Sequence, residues 1–355
     1  MRKPPQSPLD TIAAPLIQDV RQLIEASRQR VATSVNTELS LLYWQIGRRI
    51  DQENLTGERA GYGQEIVATL SQQLSRDYGS GFSRSGLARM IKFSQNFSDI
   101  ETVKVLAKSL SWSHFKELLP LDKPLQREYY AELCRVERWS VRTLRKKIDS
   151  MLYERTALSR KPDELAQLEL AKLRDTDLLT PDLVFKDPYF LEFLGLQDHY
   201  LEKDLEDAIL RDMELFLMEL GAGFAFLARQ KRIQIDSDDF YIDLLFYNRH
   251  LKRLIAIELK QGDFKPEYKG QMELYLRWLN KHDRQPDEEP PLGIILCAGK
   301  KQEQIELLEL DQSGIHVAEY LTALPSKELL RERFHQAIES SRQRLLDRAP
   351  SDEQD

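Results

Sequence analysis

Cysteine and histidine are scarce in this sequence, which excludes several kinds of site. Only two cysteines occur in 355 residues, Cys134 and Cys297, and they lie far apart in the chain. A disulfide framework and a cysteine-ligated zinc site are therefore excluded. The six histidines are scattered, and no two of them are four residues apart, as a pair of zinc ligands on one helix would be. We expect no histidine-ligated zinc site.

Long apolar runs are also missing. The longest nearly uncharged stretch, Leu292 to Ala298, is far shorter than the ~20 residues that a membrane-spanning helix needs. The first ten residues do not contain the apolar core of a signal peptide. Hydrophobic residues nevertheless make up 41% of the chain, which is enough for folded cores. We expect a soluble, cytoplasmic protein without membrane contact, and the chain length predicts two domains.

No glycine-rich segment of the sequence has the flanking elements and the spacing of a phosphate-binding loop. Gly79-Ser-Gly81 follows a predicted helix instead of a strand, and no third glycine has the spacing of a dinucleotide loop. Gly221-Ala-Gly223 precedes a strand, which is the wrong order for the same motif. Ala298-Gly-Lys300 lacks the upstream glycine of a P-loop. We therefore expect no nucleotide cofactor.

The net charge of −7 conceals an uneven distribution. Residues 1–160 carry 25 Lys and Arg against 18 Asp and Glu, whereas residues 161–355 carry 26 against 40. A basic half joined to an acidic half is a layout that metal-dependent nucleases can have, with a polyanion-binding unit beside a carboxylate-rich one. Ordinary drift of charge along a long chain explains the same numbers equally well.

The periodicity of apolar residues predicts an α + α/β architecture. Residues 11–156 keep apolar side chains three or four apart and predict a helical domain, and residues 157–180 read as a helix and linker. Residues 181–346 follow the order α-β-β-β-α-β with an extra strand and helix, which predicts a mixed sheet flanked by helices. Residues 347–355 are polar and expected to be disordered. The elements predicted in the second half are helices over Leu201–Leu220, Pro266–Asn280 and Lys327–Leu346, and strands over Phe224–Ile235, Phe240–Tyr247, Leu254–Leu259, Leu292–Ala298 and His316–Tyr320.

Three charged residues converge on the hairpin that the second and third of these strands form. If its turn centres near residues 249 and 250, Asp243 lies opposite Ala256 and diagonal to Glu258, with Cα atoms roughly 7–8 Å apart. Two carboxylates at that range can bind one Mg²⁺, and the adjacent Lys260 can position water and stabilise charge on a phosphate. A salt bridge at a strand end is the simpler interpretation. The apolar faces around these charges argue against it, because buried charges need a partner or a function.

This pattern resembles the PD-(D/E)xK nuclease core. Asp243-x14-Glu-x-Lys260 lies on a hairpin that follows a helix and a strand and precedes another helix. That last helix contains Gln271-Met-Glu-Leu-Tyr275, which is similar to the Gln-x-x-x-Tyr motif of the RecB-like branch. The preceding helix offers Glu206 where members often carry another acidic residue, with Glu214 as its rival. The proline of the superfamily name is replaced by Ile242, a loosely specified position.

Longer stretches resemble the bacterial YhcG-like nucleases over nearly the whole chain. They are Tyr43-Trp-Gln-Ile-Gly-Arg-Arg-Ile50, Phe193-Leu-Gly-Leu196, Phe224-Ala-Phe-Leu-Ala-Arg-Gln230 and Gly262-Asp-Phe-Lys-Pro-Glu-Tyr-Lys-Gly-Gln271.

The resemblance implies a Mg²⁺-dependent DNA endonuclease, with Mn²⁺ as a substitute metal, acting in genome defence or mobile-element processing. Asp243 and Glu258 would hold the metal, with the carbonyl of Leu259 and a contribution from Glu206. Lys260 would orient the nucleophile. The remaining pair of catalytic candidates, which would fix the site or the DNA backbone, is Gln271 and Tyr275.

The basic residues of the first half suggest how DNA is held. A helix, the turn Gly79–Ser83 and a second helix that carries Arg84, Arg89 and Lys92 have the form of a helix-turn-helix reader. Ser83 is a suitable N-cap for the second helix. A solvated amphipathic helix is one alternative interpretation, and a helical domain that mediates dimerisation or recruits another protein is a second.

Two further basic groups are candidates for DNA contact. Arg142, Arg145 and Lys146 form one helical face, and Lys265 and Lys269 lie one turn apart just past the predicted active site. A solvated helix face explains Lys265 and Lys269 equally well, and it is the favoured interpretation for the first group.

Two other functions stay open at this point. The chain can be a nucleic-acid-binding or assembly module that keeps the nuclease fold without cutting, although the complete set of Asp, Glu and Lys favours an enzyme. An RNA-directed nuclease ranks last, because no aromatic stacking platform is evident. Cutting both strands of DNA requires two active sites, which a homodimer would supply.

Overall fold

The computed structural model describes residues 34–52, 60–196 and 200–348. The chain divides into two compact units, one up to Lys146 and one from Lys147 onward. Among the described residues, no helix combines the length and the apolar composition that a membrane crossing needs. The first part of the predicted helical domain, residues 11–33, and the polar end of the chain after Arg348 lie outside the described residues.

The described part of the first unit is helical, as predicted. Helix α1 covers residues 34–52, and helix α2 begins at Ala60. The other helices are α2 (Ala60–Tyr78), α3 (Arg84–Asn96), α4 (Ile100–Ala107), α5 (Trp112–Leu118), α6 (Pro124–Val136) and α7 (Val141–Asp149), which runs across the boundary between the units.

A glycine turn joins α2 to α3 as the sequence predicts. Gly79 has a φ of +93°, a backbone conformation that glycine adopts without steric cost, and it ends α2. The Ser83 side chain then accepts a hydrogen bond from the backbone N–H of Gly86 at 3.4 Å and caps α3. One face of α3 is buried through Leu87, Met90 and Phe93. The opposite face is therefore left to solvent.

Close packing of α1 on α3 depends on one glycine. A Cβ atom placed on Gly47 would lie 1.8 Å from the carbonyl oxygen of Met90, so the two helix backbones touch at this point. The indole N–H of Trp44 in α1 also donates to the carbonyl oxygen of Phe97, the residue that follows α3, at 2.6 Å. These contacts explain why the Tyr43–Ile50 segment carries a glycine in the middle of a helix, where glycine is otherwise unfavourable.

The second unit is built on a six-stranded mixed sheet, which confirms the predicted fold class. The strand order is β1-β6-β5-β4-β3-β2. Strands β2, β3 and β4 form antiparallel pairs, and β4, β5, β6 and β1 are parallel neighbours. The strands are β1 (Tyr189–Phe190), β2 (Phe224–Ile235), β3 (Asp238–Asn248), β4 (Arg253–Leu259), β5 (Leu292–Cys297) and β6 (Ile315–Leu321).

Helices cover both faces of this sheet. Helix α12 packs Met272, Leu276 and Leu279 into a core cluster that also contains Ala256 of β4 and Leu245 of β3. On the other face, Phe216 of α11 lies against Phe246, the residue after Leu245, with ring centroids 6.0 Å apart. The helices of this unit are α8 (Asp163–Thr176), α9 (Pro181–Val184), α10 (Glu202–Arg211), α11 (Met213–Leu220), α12 (Glu267–His282), α13 (Gln302–Leu307) and α14 (Lys327–Arg348).

Three elements of the second unit illustrate where the structure differs from the prediction. The helix predicted over Leu201–Leu220 is broken at Asp212, whose φ and ψ of −108° and 35° are not helical, and becomes α10 and α11. Strand β1 has only two residues and therefore carries no periodicity to detect. Helix α13 is six residues long and was not predicted for the same reason. All five predicted strands are present.

The contact between α1 and α3 predicts a selective effect of adding one methyl group. Gly47→Ala forces the two backbones apart, so we expect a destabilisation of about 1–3 kcal/mol or more in urea-induced unfolding. Gly270→Ala is the matched control, because it also lies in a helix but has no atom within 4 Å of the added Cβ. That substitution should stabilise by up to about 1 kcal/mol. Equal effects of the two substitutions would contradict the close approach.

Candidate active site

The pairing of β3 with β4 brings the two predicted acidic residues side by side. Leu244 pairs with Ile257 and Leu245 with Ala256, so the next position in this register places Asp243 beside Glu258. The predicted pairing of Asp243 with Ala256 is therefore wrong by two residues. Side chains of directly opposed residues lie on the same face, with Cα atoms about 5 Å apart.

The register differs because the turn is longer than expected. Four residues connect the last pair, Asn248 and Arg253. The side-chain oxygen of Asn248 accepts hydrogen bonds from the backbone N–H groups of His250 and Leu251, both at 3.0 Å. Lys252 then adopts a φ of +50°. The local chemistry of one asparagine thus moves the turn centre beyond residues 249 and 250.

Hydrogen bonds hold both acidic side chains, Asp243 in the middle of β3 and Glu258 near the end of β4. The backbone N–H of Asp243 donates to Oε1 of Glu258 at 3.4 Å, and the N–H of Leu259 donates to Oδ2 of Asp243 at 2.9 Å. Glu258 is only 3% exposed. Burial, together with the nearby charge of Asp243, raises the pKa of Glu258 to about 8. Burial also raises the pKa of Asp243, so both carboxyl groups of the free protein are harder to ionise than in water.

Lys260 lies beside the acidic pair, as the sequence predicts. Its ammonium group donates to Oε2 of Glu258 at 3.3 Å and lies 5.2 Å from the centre of the Tyr268 ring. Burial lowers the pKa of Lys260, but the carboxylates of Glu258, Glu202 and Asp243 outweigh that effect and raise it overall. The lysine is therefore a cation at neutral pH, held against one face of the carboxylate pair.

The structure distinguishes between the two acidic candidates of the preceding helices. Glu206 of α10 is 7% exposed and accepts hydrogen bonds from Arg229 Nε at 2.6 Å and from Gln230 Nε2 at 3.1 Å. The same nitrogen of Gln230 donates to Oδ1 of Asp243 at 3.0 Å. Its rival Glu214 is exposed on α11. Only Glu206 is therefore linked to the acidic pair.

Arg229 and Gln230 are members of this site that sequence reasoning did not identify. Both lie on β2, and Gln230 has a φ of +45°, which is unusual for a residue other than glycine. The β2–β3 register shifts by one residue between Phe226 and Ala228, so a regular strand pattern does not predict which side chains face the site. The one available signal was an arginine and a glutamine in a strand that is otherwise largely apolar at its start.

The predicted pair on α12 is also in contact. Gln271 Nε2 donates to the hydroxyl of Tyr275 at 2.6 Å. Tyr275 is 1% exposed, and its ring lies edge-on to that of Phe240 with centroids 6.4 Å apart. Burial raises the pKa of Tyr275, and the charges of Glu258 and Asp243 raise it further. The tyrosine therefore packs in the core and is close enough to sense the acidic pair.

The basic candidates for DNA contact differ in their exposure to solvent and in whether they already have hydrogen-bond or ion-pair partners. Arg84, Arg89 and Lys92 are all exposed on α3, and no side-chain partner is found for them among the described residues. Lys265 is likewise exposed. Lys269, in contrast, donates to the carbonyl oxygen of Leu308 at 2.8 Å and lies 3.6 Å from Glu273.

Of the three basic candidates on α7, at least Arg145 already has an acidic partner. Arg145 forms hydrogen bonds from two of its nitrogens to the carboxylate of Glu117, whereas Arg142 and Lys146 are exposed.

The carboxyl groups of Asp243 and Glu258 are donors that suit a hard divalent cation. Within the described residues, no group of three or more His, Cys, Asp or Glu side chains is arranged to hold a metal ion. A small hard cation does not need such a group, because it uses one or two carboxylates and retains several waters. Asp243 and Glu258 supply two carboxyl groups from directly opposed residues, and burial raises the pKa of both. The residues present therefore fit a divalent metal.

Comparison with known proteins agrees with this geometry. The model of the YhcG PDDEXK nuclease domain matches residues 182–335, and the model of the DUF1016 N-terminal domain matches residues 19–155. YhcG of Escherichia coli (strain K12) is 35% identical over 308 residues, which cover 78% of this chain and 81% of that protein. The chain belongs to the YhcG family. Its acidic pair and Lys260 lie within the PDDEXK nuclease domain of that family, and such nucleases generally use divalent metals.

Two solved structures show a limited likeness to this YhcG family member. One is a complex of EndoMS with double-stranded DNA, at 16% identity and a TM-score of 0.27. The other is a repair endonuclease from Pyrococcus abyssi, at 17% identity and a TM-score of 0.25. Each alignment covers 37% of this chain and 50% of the solved chain, so each solved protein is matched over half of its length.

The raised pKa of Glu258 predicts how the stability of the metal-free protein depends on pH. The ordinary value is 4.5 and the folded value is about 8, so the folded state binds more protons than the unfolded state between these values. Stability therefore falls as pH rises through this window, by about 3 kcal/mol at most at pH 7. We expect Glu258→Gln to remove this loss. In EDTA, its melting temperature should exceed that of wild type at pH 8 and approach it at pH 5.

Glu214→Gln provides the control for this measurement, because Glu214 is an exposed carboxyl on a neighbouring helix of the same unit. Its melting temperature should follow that of wild type at every pH. A wild-type melting temperature that does not change between pH 5 and pH 8, or a Glu258→Gln profile parallel to it, would show that burial does not raise the pKa of Glu258 in the folded protein.

Proposed function

We propose that this chain is a Mg²⁺-dependent endonuclease that hydrolyses phosphodiester bonds of DNA. The observation that supports the proposal is the convergence of Asp243, Glu258 and Lys260 where the end of β4 lies beside the middle of β3. Two buried carboxylates on directly opposed residues can hold a divalent cation between them, and the lysine places a fixed positive charge beside them. A structural salt bridge would need only one of the two carboxylates.

The proposed mechanism gives each residue a separate task. Asp243 and Glu258 hold the metal, and the backbone carbonyl of Leu259 is a further oxygen donor at the end of β4. When bound, a divalent metal polarises the phosphodiester and lowers the pKa of a water molecule. Lys260 donates a hydrogen bond to the attacking water or the phosphate and orients it. Gln271 and Tyr275, hydrogen-bonded to each other, form the wall of the site on α12.

The proposed DNA contacts lie on the exposed basic residues. Arg84, Arg89 and Lys92 project from α3, the second helix of a helix–turn–helix arrangement, and are free to neutralise phosphates. Lys265 precedes α12 and is free in the same way. We also include Lys269, although its present contacts with Leu308 and Glu273 would have to be exchanged for a phosphate.

Cleavage of plasmid DNA tests the proposed active site. We expect wild-type protein to nick or linearise plasmid with Mg²⁺ or Mn²⁺ and to be inactive in EDTA. Asp243→Asn and Lys260→Ala should each lower the rate by about 100-fold or more, since each removes a group that acts on the reacting atoms. Lys172→Ala, an exposed lysine of α8, is the matched control and should cleave like wild type.

The products also discriminate between the alternatives. Linear product that accumulates without a nicked intermediate would support a homodimer with two active sites. Cleavage that continues in EDTA, or a Lys260→Ala variant as active as wild type, would refute the proposed site. DNA binding without cleavage by any preparation would support the non-cleaving assembly module instead.

Salt-dependent DNA binding tests the role of α3. In EDTA, the combined substitution of Arg84, Arg89 and Lys92 by alanine should weaken binding to a DNA duplex and reduce the slope of log K against log salt concentration by about 2–3. The control replaces three other exposed lysines of the first unit and changes the net charge equally: Lys104, Lys108 and Lys116. Equal loss of affinity in both triple variants would indicate a general effect of net charge instead of a DNA-binding helix.

A further inference from the structure

A continuous chain of hydrogen bonds runs from the surface of α10 to the acidic pair. Arg229 donates to Glu206 at 2.6 Å through Nε and to Asp207 at 2.8 Å through Nη2. Glu206 then accepts from Gln230, whose amide nitrogen also donates to Asp243. The second oxygen of Asp243 accepts from the backbone N–H of Leu259. Both oxygens of the Asp243 carboxylate are thus fixed, one by the backbone and one by Gln230.

The two carboxylates that Gln230 joins, Glu206 and Asp243, differ in the charge of their other partners. Glu206 is paired with the guanidinium of Arg229, a full positive charge at hydrogen-bond distance. On β2 and β4, Asp243 meets only neutral donors, which are the Gln230 amide and the Leu259 N–H. Glu258 contacts the ammonium group of Lys260, so among the described residues Asp243 is the carboxylate of this network that has no cation at hydrogen-bond distance. Its charge remains available to a divalent cation, whereas the charge of Glu206 is already compensated.

The backbone of Gln230 is adapted to this task. The β2–β3 ladder passes from the pair Arg229 and Leu244 to the pair Lys231 and Ile242, so Gln230 lies beside Asp243 without forming a regular pair. Its φ of +45° costs on the order of 1 kcal/mol for a residue with a side chain. Because the amide nitrogen contacts two carboxylates, the reversed amide orientation would place its oxygen against both of them. The surroundings therefore fix one orientation of this side chain.

We propose that Gln230 is a positioning residue that holds the Asp243 carboxylate in its metal-binding orientation, and that Glu206 acts on the metal only through Gln230. Glu206 is then an anchor for Gln230 and Arg229 and not a metal ligand, which differs from the expectation drawn from the family resemblance. This inference rests on the metal site proposed above. Partners that orient a metal ligand typically change metal affinity by about 10–100-fold when they are removed.

Mn²⁺ binding to the full chain, measured from the electron paramagnetic resonance signal of free Mn²⁺, tests this inference without any measurement of cleavage. We expect Gln230→Ala and Glu206→Ala each to raise the dissociation constant by about 10-fold. The double variant should bind as weakly as Gln230→Ala alone, because Glu206 has no other path to the metal. Gln234→Ala, an exposed glutamine of the same strand, is the matched control and should bind like wild type.

Gln230→Gly separates metal binding from folding. Glycine tolerates the positive φ, so this variant should unfold at the same or a higher temperature than wild type and still bind Mn²⁺ about 10-fold more weakly. The inference fails if Gln230→Gly binds Mn²⁺ like wild type, or if Glu206→Ala weakens binding further in the Gln230→Ala background, as a direct ligand would. A wild-type protein that binds no Mn²⁺ would instead remove the proposed metal site, and this inference with it.

Discussion

The burial of Glu258 beside Asp243 is the constraint on which the rest of the second unit depends. Strand pairing brings the two carboxyl groups together, and the core under α12 excludes the water that would otherwise stabilise their charge. Each surrounding group compensates part of this cost: Lys260 contributes a cation, and Gln230 and the Leu259 N–H contribute hydrogen bonds. Glu258 nevertheless keeps a pKa of about 8. A bound cation would stabilise the charged form of this carboxyl pair. The residues whose burial is unfavourable in the metal-free protein are therefore the ones that we propose as metal ligands.

The elements of the fold were predictable because their periodicity is local. Helical spacing and strand alternation extend over enough residues that every predicted strand and the helix after β4 occur in the structure. The register of the hairpin was not predictable, since it depends on the Asn248 side chain, which binds two backbone N–H groups, and on the positive φ of Lys252. The link from Glu206 to Asp243 was not predictable either. It passes through Gln230, which faces the site only because the β2–β3 register shifts after Phe226.

The uneven charge distribution of the sequence has a structural counterpart in how the cations are used. In the second unit many basic side chains are committed to ion pairs, such as Lys231 with Asp283 and Arg232 with Asp239. On α3 of the first unit, Arg84, Arg89 and Lys92 are exposed. A cation already paired with a carboxylate gains little from a phosphate, whereas a solvated cation releases counterions from DNA when it binds. We therefore assign DNA binding to the first unit because the cations of α3 are exposed to solvent, in addition to the larger proportion of basic residues in that half of the sequence.

The central claim is that Asp243 and Glu258 form a metal site, and its most direct test is the anomalous difference density of Mn²⁺ in crystals of the protein soaked with MnCl₂. The account predicts one peak between the two carboxylates, within about 2.0–2.4 Å of an oxygen of each, with Glu206 still bound to Arg229. It predicts no such peak in crystals of Asp243→Asn soaked in the same way. Ordered wild-type crystals without density between these carboxylates, or with Mn²⁺ bound only elsewhere, would contradict it.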